Sequence, residues 1–226
     1  MSGGFLIRGS VFVPIGGFEK RLLLLVVCVV VVGGSHTVVV LDPSQIHKIP
    51  AGGGGWYDDN QHTILTIQTG IILTHEFTHA LHHADQLAHN QTHPVWIKEG
   101  LATLFETSQL RDGRLEPLHN FRLRAIQRAV RQNQTIPLRT FLSMKQSEYM
   151  NKSGQCNPQG RYVMMFLHDR GLLKDWYDAY TATYTQDRIG ALAMEKVFGQ
   201  GIEYLDRDWK TWIDQLRHPG LRLPSS

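Results

Sequence analysis

The segment HTILTIQTGIILTHEFTHALHHADQLA, residues 62–88, contains a change from strand periodicity to helix periodicity. Over residues 63–69, apolar side chains are interspersed with threonines, which is typical of a short β-strand. Gly70 ends this pattern. Over residues 71–88, apolar side chains recur at helical spacing, which predicts an amphipathic α-helix. A strand therefore leads directly into a helix at this point of the chain.

The chain after this helix is predicted to be almost wholly helical. Further helices are expected near residues 94–108, 119–132, 159–170, 174–184, 188–198 and 202–216. Before the strand, the glycine-rich stretch at residues 51–60 is predicted to be a loop. The sequence therefore indicates an α+β fold, with a small N-terminal β-sheet followed by a mainly helical C-terminal half.

The length and composition of the chain are those of one packed domain with short flanking segments. The chain has 226 residues, of which 42% are hydrophobic and 19% are charged, an ordinary balance for a globular protein. We therefore predict an N-terminal segment at residues 1–51, a folded domain at residues 52–216 and a tail at residues 217–226.

The charge and the cysteine content of the chain argue against a nucleic-acid partner and against a metal site built from cysteines. The formal net charge of +3 is small and the acidic residues are spread along the chain, so no nucleic-acid partner is predicted. Cys28 and Cys156 are the only cysteines, too few for a disulfide framework or a Cys-x-x-Cys metal site. Any metal ion must therefore be held by nitrogen and oxygen ligands.

An apolar run without charged residues occupies residues 22–41. Lys20 and Arg21 precede it and small residues follow its first half, as in an export signal or a membrane anchor. We therefore expect export or membrane association through this run in preference to a cytoplasmic location. The alternative is a pair of inner strands with a turn at residues 33–36, because valine dominates the run.

The helix at residues 71–88 presents a pair of histidines on one side. At 100° per residue, His75 and His79 lie together opposite the apolar face. Imidazoles four residues apart can bind one ion, and neutral imidazole is a good zinc ligand. Glu76 projects about a quarter turn away, where its carboxylate could reach a water on the metal without itself binding the metal. The spacing predicts a Zn²⁺ site.

The other histidines of this region are predicted to take no part in binding the metal. His83 lies about 12 Å along the helix from His75, too far to bind the same ion, and is expected to be solvated. His82 is expected to be a surface residue. His89 and His93 fall in the following loop, where exposure to solvent is expected.

Two residues compete to be the third metal ligand. Asp85 lies six residues after the second histidine, the spacing of a related motif in which a glycine breaks the helix. Here His82 stands at the place of that glycine, so an unbroken helix would carry Asp85 to a different side. Geometry therefore argues against Asp85.

Glu99 is the stronger candidate. It lies in THPVWIKEGLATLFE, residues 92–106, which begins with the helix-start signals Thr92 and Pro94. A second helix packed beside the first could bring Glu99 to the ion, so Glu99 is the predicted third ligand. Glu106, two turns further along, is expected to be a solvated charge.

These motifs resemble those of a known group of proteins. HEFTH, residues 75–79, is followed 20 positions later by the glutamate of WIKEGLA. This looks like a gluzincin, a zinc peptidase with two histidine ligands and one glutamate, and especially like the peptidase MA-like branch. The likeness covers about residues 52–216 and includes an uncharacterised bacterial domain family of that branch. It implies a zincin-like fold and zinc-dependent hydrolysis of peptide bonds in a peptide or protein substrate.

The residues and the resemblance together suggest roles for individual side chains. Glu76 would act as general base, taking a proton from a metal-bound water that attacks a peptide carbonyl. By resemblance, Tyr162 would begin a later helix and donate a hydrogen bond to the oxyanion. The strand at residues 63–69 could bind an extended peptide by strand addition. The alternative is a catalytically silent zinc-binding scaffold or interaction module of the same fold, although an intact Glu76 favours an enzyme.

Overall fold

A computed structural model describes residues 6–11, 25–31, 34–49 and 53–217 of the chain. The chain divides into two compact units, Met1–Asn90 and Gln91–Ser226. The first unit contains a small β-sheet and one long helix, and the second is mainly helical with one β-hairpin. This confirms the predicted α+β class, with the sheet near the N-terminus and helices after it.

The described residues of the first unit form a sheet of five strands in the order β1-β2-β3-β5-β4. These strands are β1 (Leu6–Val11), β2 (Leu25–Val31), β3 (Gly34–Val40), β4 (Gly55–Asp58) and β5 (Thr63–Thr66). Strands β3 and β5 pair in parallel and the other neighbours are antiparallel. A 3₁₀ helix, Pro43–Lys48, follows β3.

The described part of the apolar run at residues 22–41 forms strands. Strands β2 and β3 pair in register from Leu25 opposite Val40 to Val31 opposite Gly34. Valine suits this arrangement because its branched side chain has restricted rotamers that fit a pleated sheet. Residues 22–24 and 32–33 lie outside the described residues. Among the residues that are described, no helix has both the length and the apolar character needed to cross a membrane. Export or membrane association stays a prediction.

The glycine-rich stretch before β5 was wrongly predicted to be only a loop, since Gly55–Asp58 forms β4. Side chains at the start of this strand would displace their neighbours. A Cβ atom on Gly55 would lie 2.6 Å from Ile72 Cγ2, and one on Gly54 would also overlap the Ile72 side chain. Close packing therefore favours glycine here, and the paired strand stabilises a segment of low intrinsic strand propensity.

Helix α1 (Ile71–Ala88) has the boundaries that the sequence predicts. It packs on β4 and β5. The apolar core between helix and sheet is small and includes the buried side chains of Val38, Ile64 and Ala80. Strand β5 ends at Thr66 rather than at residue 69, and it lies between β3 and β4. The edge of the sheet next to α1 therefore belongs to β4 and not to the predicted strand.

The second unit contains eight described helices and a two-stranded hairpin. The helices are α2 (Val95–Phe105), α3 (Arg122–Arg131), α4 (Leu138–Leu142), α5 (Gln146–Asn151), α6 (Ser153–Asp169), α7 (Leu173–Ala182), α8 (Ala191–Phe198) and α9 (Ile202–Gln215). Helices α2 and α6 pack on each other at its centre. Trp96, Trp176 and Trp209 are fully buried in its core.

The hairpin was missed by the sequence prediction, which extended α2 to residue 108. Strands β6 (Ser108–Arg111) and β7 (Arg114–Pro117) are joined by Asp112 and Gly113, both with positive φ. Asp-Gly is a preferred pair for a two-residue hairpin turn, because both turn positions need positive φ. That dipeptide was the signal that could have predicted the hairpin.

Helices α4 and α5 were also missed, and α6 begins six residues before its predicted start at residue 159. Both missed helices are shorter than two turns, too short to show helical periodicity in the sequence. Pro158 lies inside α6 and made an earlier start unexpected.

Glu106 was wrongly predicted to be a solvated charge. Its side chain is buried, and Arg122 Nε donates a hydrogen bond of 2.8 Å to its Oε1 atom. Asn120 Nδ2 donates to the same oxygen. This contact ties the end of α2 to the start of α3, which the sequence spacing did not indicate.

A cluster of three histidines and one tyrosine lies in the first unit. His36 is 1% exposed, and its ring stacks on that of His62 with centroids 5.3 Å apart. The hydroxyl of Tyr57 lies 3.4 Å from His62 Nδ1 and 3.1 Å from His83 Nδ1. The prediction that His83 is a solvated residue was therefore wrong. Burial, and then the nearby His62 and His83, lower the pKa of His36.

The lowered pKa of His36 predicts a loss of stability in acid. The unfolded chain takes up a proton below about pH 6.5, the ordinary pKa of histidine, whereas folded His36 remains neutral until lower pH. The unfolded state then binds more protons, so the free energy of unfolding falls as the pH drops from about 6.5 toward the lowered pKa. Denaturant unfolding at pH 7.5 and 5.5 measures this difference.

His36→Phe should lose a smaller part of its stability between these two pH values than the wild type does. The matched control is His47→Phe, because His47 is exposed on the 3₁₀ helix and its replacement should leave the pH dependence as it is. An equal loss in the wild type and in His36→Phe would contradict the assignment.

Candidate metal centre

Helix α1 brings the predicted histidine pair together. The Nε2 atoms of His75 and His79 lie 3.2 Å apart, and their ring centroids lie 4.8 Å apart. Two nitrogens bound to one zinc ion at about 2.0–2.1 Å would be separated by about 3.3 Å. The two imidazoles therefore have the spacing that two ligands of one ion require.

Glu76 is held against the backbone of β4. Its side chain is 8% exposed. A Cβ atom on Gly55 would lie 2.8 Å from Glu76 Cγ and 2.9 Å from its Oε1 atom. The absence of a side chain at Gly55 thus lets the edge strand pass directly beside the carboxylate of Glu76.

The remaining polar residues of α1 have different environments. The helix continues unbroken past His82 to Ala88. Asp85 is half-buried, and its Oδ1 atom lies 3.6 Å from His89 Nδ1. His89 is exposed, as predicted. The expectation of a surface position was wrong for His82, which is buried.

The start of α2 in the second unit depends on contacts that the sequence did not reveal. Thr92 does not cap the helix with its side chain; its backbone N–H donates to the hydroxyl of Tyr184, which in turn donates to the Thr92 carbonyl. His93 was predicted to be exposed, but it is 2% exposed and packs against the rings of Tyr180 and Tyr177. These contacts hold the residues that lead into α2.

Glu99 lies on α2, next to a close contact between α2 and α6. A Cβ atom on Gly100 would lie 3.0 Å from Met164 Cγ and 3.3 Å from the carbonyl oxygen of Gly160. The backbone of α2 is therefore packed directly on α6. This packing fixes the position of the helix turn that carries Glu99.

His75, His79 and Glu99 form a group that could hold a metal ion. One ligand atom from each residue lies within 4.8 Å of the others, and all three residues are partly buried. No other group of three histidine, cysteine, aspartate or glutamate residues meets this condition within the part of the chain that the structure describes. Two imidazole nitrogens and one carboxylate oxygen suit zinc, which binds nitrogen and oxygen ligands in four-coordinate sites.

Tyr162 has a different setting from the one that the resemblance implied. It lies inside α6 rather than at its start, and its side chain is fully buried. Its ring stacks on that of His119 with centroids 5.9 Å apart. Burial raises the pKa of the Tyr162 hydroxyl, so the group stays protonated. Its role as a hydrogen-bond donor to the oxyanion remains a prediction, and the side chain has no exposed surface with which to contact a substrate.

Tyr149 is a residue near Glu99 that the sequence analysis did not single out. It belongs to the short helix α5 and is fully buried. Burial, and then the charge of Glu99, raise its pKa well above the ordinary value of tyrosine. No motif marks this tyrosine, because its neighbour Glu99 is distant in the sequence.

No protein-family model matches the chain, and no significant match to a curated protein or to a solved structure is found.

The contact between Gly55 and α1 gives a prediction for stability. Gly55→Ala should lower the free energy of unfolding by about 1–3 kcal/mol, because the added methyl group must displace Ile72 and Glu76. Zinc binding should be retained, since no predicted ligand is removed. Urea unfolding and zinc titration of the full chain provide the two measurements.

Gly154→Ala is the matched control. Gly154 is exposed in α6 and a Cβ atom there would meet no atom within 4 Å. Alanine should stabilise this helix position slightly. If both variants unfolded at the wild-type urea concentration, the close contact at Gly55 would be refuted.

Proposed function

We propose that the protein is a zinc-dependent peptide-bond hydrolase of the gluzincin type, with a zincin-like fold. The observation that supports this most strongly is the group of His75, His79 and Glu99, which could hold a metal ion. Glu76 follows the first of these histidines and is placed on the same helix. A purely structural site has no need of a carboxylate beside its ligands, whereas hydrolysis needs a base there.

His75 and His79 would hold the zinc ion through their Nε2 atoms, and Glu99 would hold it through its carboxylate. When bound, the ion would supply Lewis-acid chemistry, which polarises a carbonyl group and makes water a stronger acid. With three protein ligands, the site would resemble catalytic zinc sites, which keep their fourth position for water or substrate.

Glu76 would move the proton during hydrolysis. Its carboxylate accepts a proton from water while the water oxygen forms a bond to the peptide carbonyl carbon. The carbon–nitrogen bond then breaks, and Glu76 passes the proton to the leaving amine nitrogen. The packing of Gly55 beside Glu76 supports this role, because a base works best when its position is restricted.

The edge strand β4 offers a way to bind a peptide or protein substrate. An extended peptide can add to the edge of a sheet through backbone hydrogen bonds, which give affinity without strong selection of side chains. We assign this role to Gly55–Asp58, because the strand first considered, β5, is already paired on both sides.

A catalytically silent zinc-binding scaffold of the same fold is the second candidate. The full burial of Tyr162 favours it, because that burial leaves the expected oxyanion donor out of contact with solvent. A silent scaffold would bind zinc without hydrolysing peptides.

Glu76→Gln separates the two candidates. The amide keeps the size of the side chain but cannot accept the proton, so peptide hydrolysis should fall by at least about 100-fold while zinc content stays at one ion per chain. Metal analysis and a peptidase assay on the wild type and the variant measure both quantities. Zinc binding without hydrolysis in the wild type would instead support the scaffold.

Glu99→Ala tests the choice of the third ligand. Loss of one of three protein ligands should weaken zinc binding by more than about 100-fold, a larger effect than the loss of an outer contact. Asp85→Ala is the matched control and should bind zinc as the wild type does. Full retention of zinc by Glu99→Ala, or its loss in Asp85→Ala, would place the third ligand elsewhere.

A further inference from the structure

The hydroxyl group of Tyr149 lies in a narrow contact between two helices of the second unit. It is 3.0 Å from the position that a Cβ atom would occupy on Gly160 of α6. That same position lies 3.6 Å from the Cα atom of Gly100 of α2. The hydroxyl therefore lies beside the backbone that immediately follows Glu99.

Among the described residues, this hydroxyl has no hydrogen-bond partner, although its side chain is completely buried. A buried donor without an acceptor is unfavourable, because folding removes its hydrogen bonds to water. Close packing of the ring, which lies 5.8 Å from that of Phe141, keeps the group in this position. The Tyr149 hydroxyl is therefore a buried hydrogen-bond donor that an acceptor nearby could satisfy.

The position of the hydroxyl indicates the acceptor. Glu99 immediately precedes Gly100 and is the acidic residue of α2, so its carboxylate belongs to the helix turn at this contact. After burial, the charge of Glu99 contributes to the raised pKa of Tyr149, in keeping with this proximity. A tyrosine hydroxyl is a hydrogen-bond donor, and a carboxylate that binds a metal through one oxygen can still accept through the other.

We propose that Tyr149 is a positioning residue for Glu99. Its hydroxyl donates a hydrogen bond to the Glu99 carboxylate when that carboxylate binds a metal ion. This inference rests on the proposed function only in taking Glu99 to be a metal ligand. Groups that orient a ligand in this way typically change metal affinity by about 10- to 100-fold.

The test uses the full chain and measures metal binding rather than hydrolysis. Tyr149→Phe removes only the hydroxyl and keeps the ring that packs on Phe141. It should bind Zn²⁺ about 10- to 100-fold more weakly in competition with a chelator, and the visible spectrum of the Co²⁺ form should change because the carboxylate is held differently.

Tyr180→Phe is the matched control. Tyr180 is as completely buried as Tyr149, but its ring packs against His93 and Trp176, and its hydroxyl donates to the carbonyl of Arg188. It should bind Zn²⁺ with the wild-type affinity. Circular dichroism shows whether each variant folds. Tyr149→Phe removes a buried hydroxyl that has no partner among the described residues, so it should be at least as stable as the wild type.

The outcomes separate this inference from the proposed function. If the wild type binds zinc, and Tyr149→Phe binds it equally well with an unchanged Co²⁺ spectrum, the positioning role is overturned and the zinc site stands. If the wild type binds no zinc, the proposed function fails and the inference fails with it. Equal weakening in Tyr180→Phe would indicate a general effect of lost buried hydroxyls and would also overturn the inference.

Discussion

The continuity of helix α1 is the constraint on which the candidate site depends. An α-helix advances 100° per residue, so residues four apart return to nearly the same side. In α1 this brings the Nε2 atoms of His75 and His79 to 3.2 Å from each other. The same regularity carries Asp85 away from them, because nothing breaks the helix before Ala88. A single unbroken element thus both builds the ligand pair and excludes the nearest alternative third ligand.

Close backbone contacts at glycine complete the arrangement in each unit. In the first unit, Gly55 lets β4 pass beside Glu76, and in the second, Gly100 lets α2 pack on α6 next to Glu99. A side chain at either glycine would force its neighbours to move. Glycine has a low intrinsic propensity for strands and for helix interiors, so it disfavours the local secondary structure at these two positions. In return, it allows the backbone to pack closely against its neighbour, which is a common use of glycine where a backbone must approach another group.

Local regularity explains which sequence predictions succeeded. The boundaries of α1 agree with the structure because its apolar periodicity extends over many turns. The hairpin of β6 and β7 was missed although its Asp112-Gly113 turn is a strong local signal. The apolar pattern of α2 was taken to continue to residue 108, where β6 begins. Helices α4 and α5 are too short to show any periodicity. The zincin-like fold and the peptidase activity remain proposals that rest on the motif and on the metal-ligand group.

The sequence by itself determined the α+β class, the histidine pair and the position of Glu76 beside it, because each depends on residues that are neighbours along one helix or strand. It could not determine burial, which depends on elements that meet only in the tertiary structure. His82, His93 and Glu106 looked like surface residues and are buried, and Glu106 has its partner in Arg122 on another helix. Tyr149 lies beside the Glu99 turn for the same reason. Packing of α6 against α2 brings together residues that are far apart in sequence, and no local sequence pattern predicts that contact.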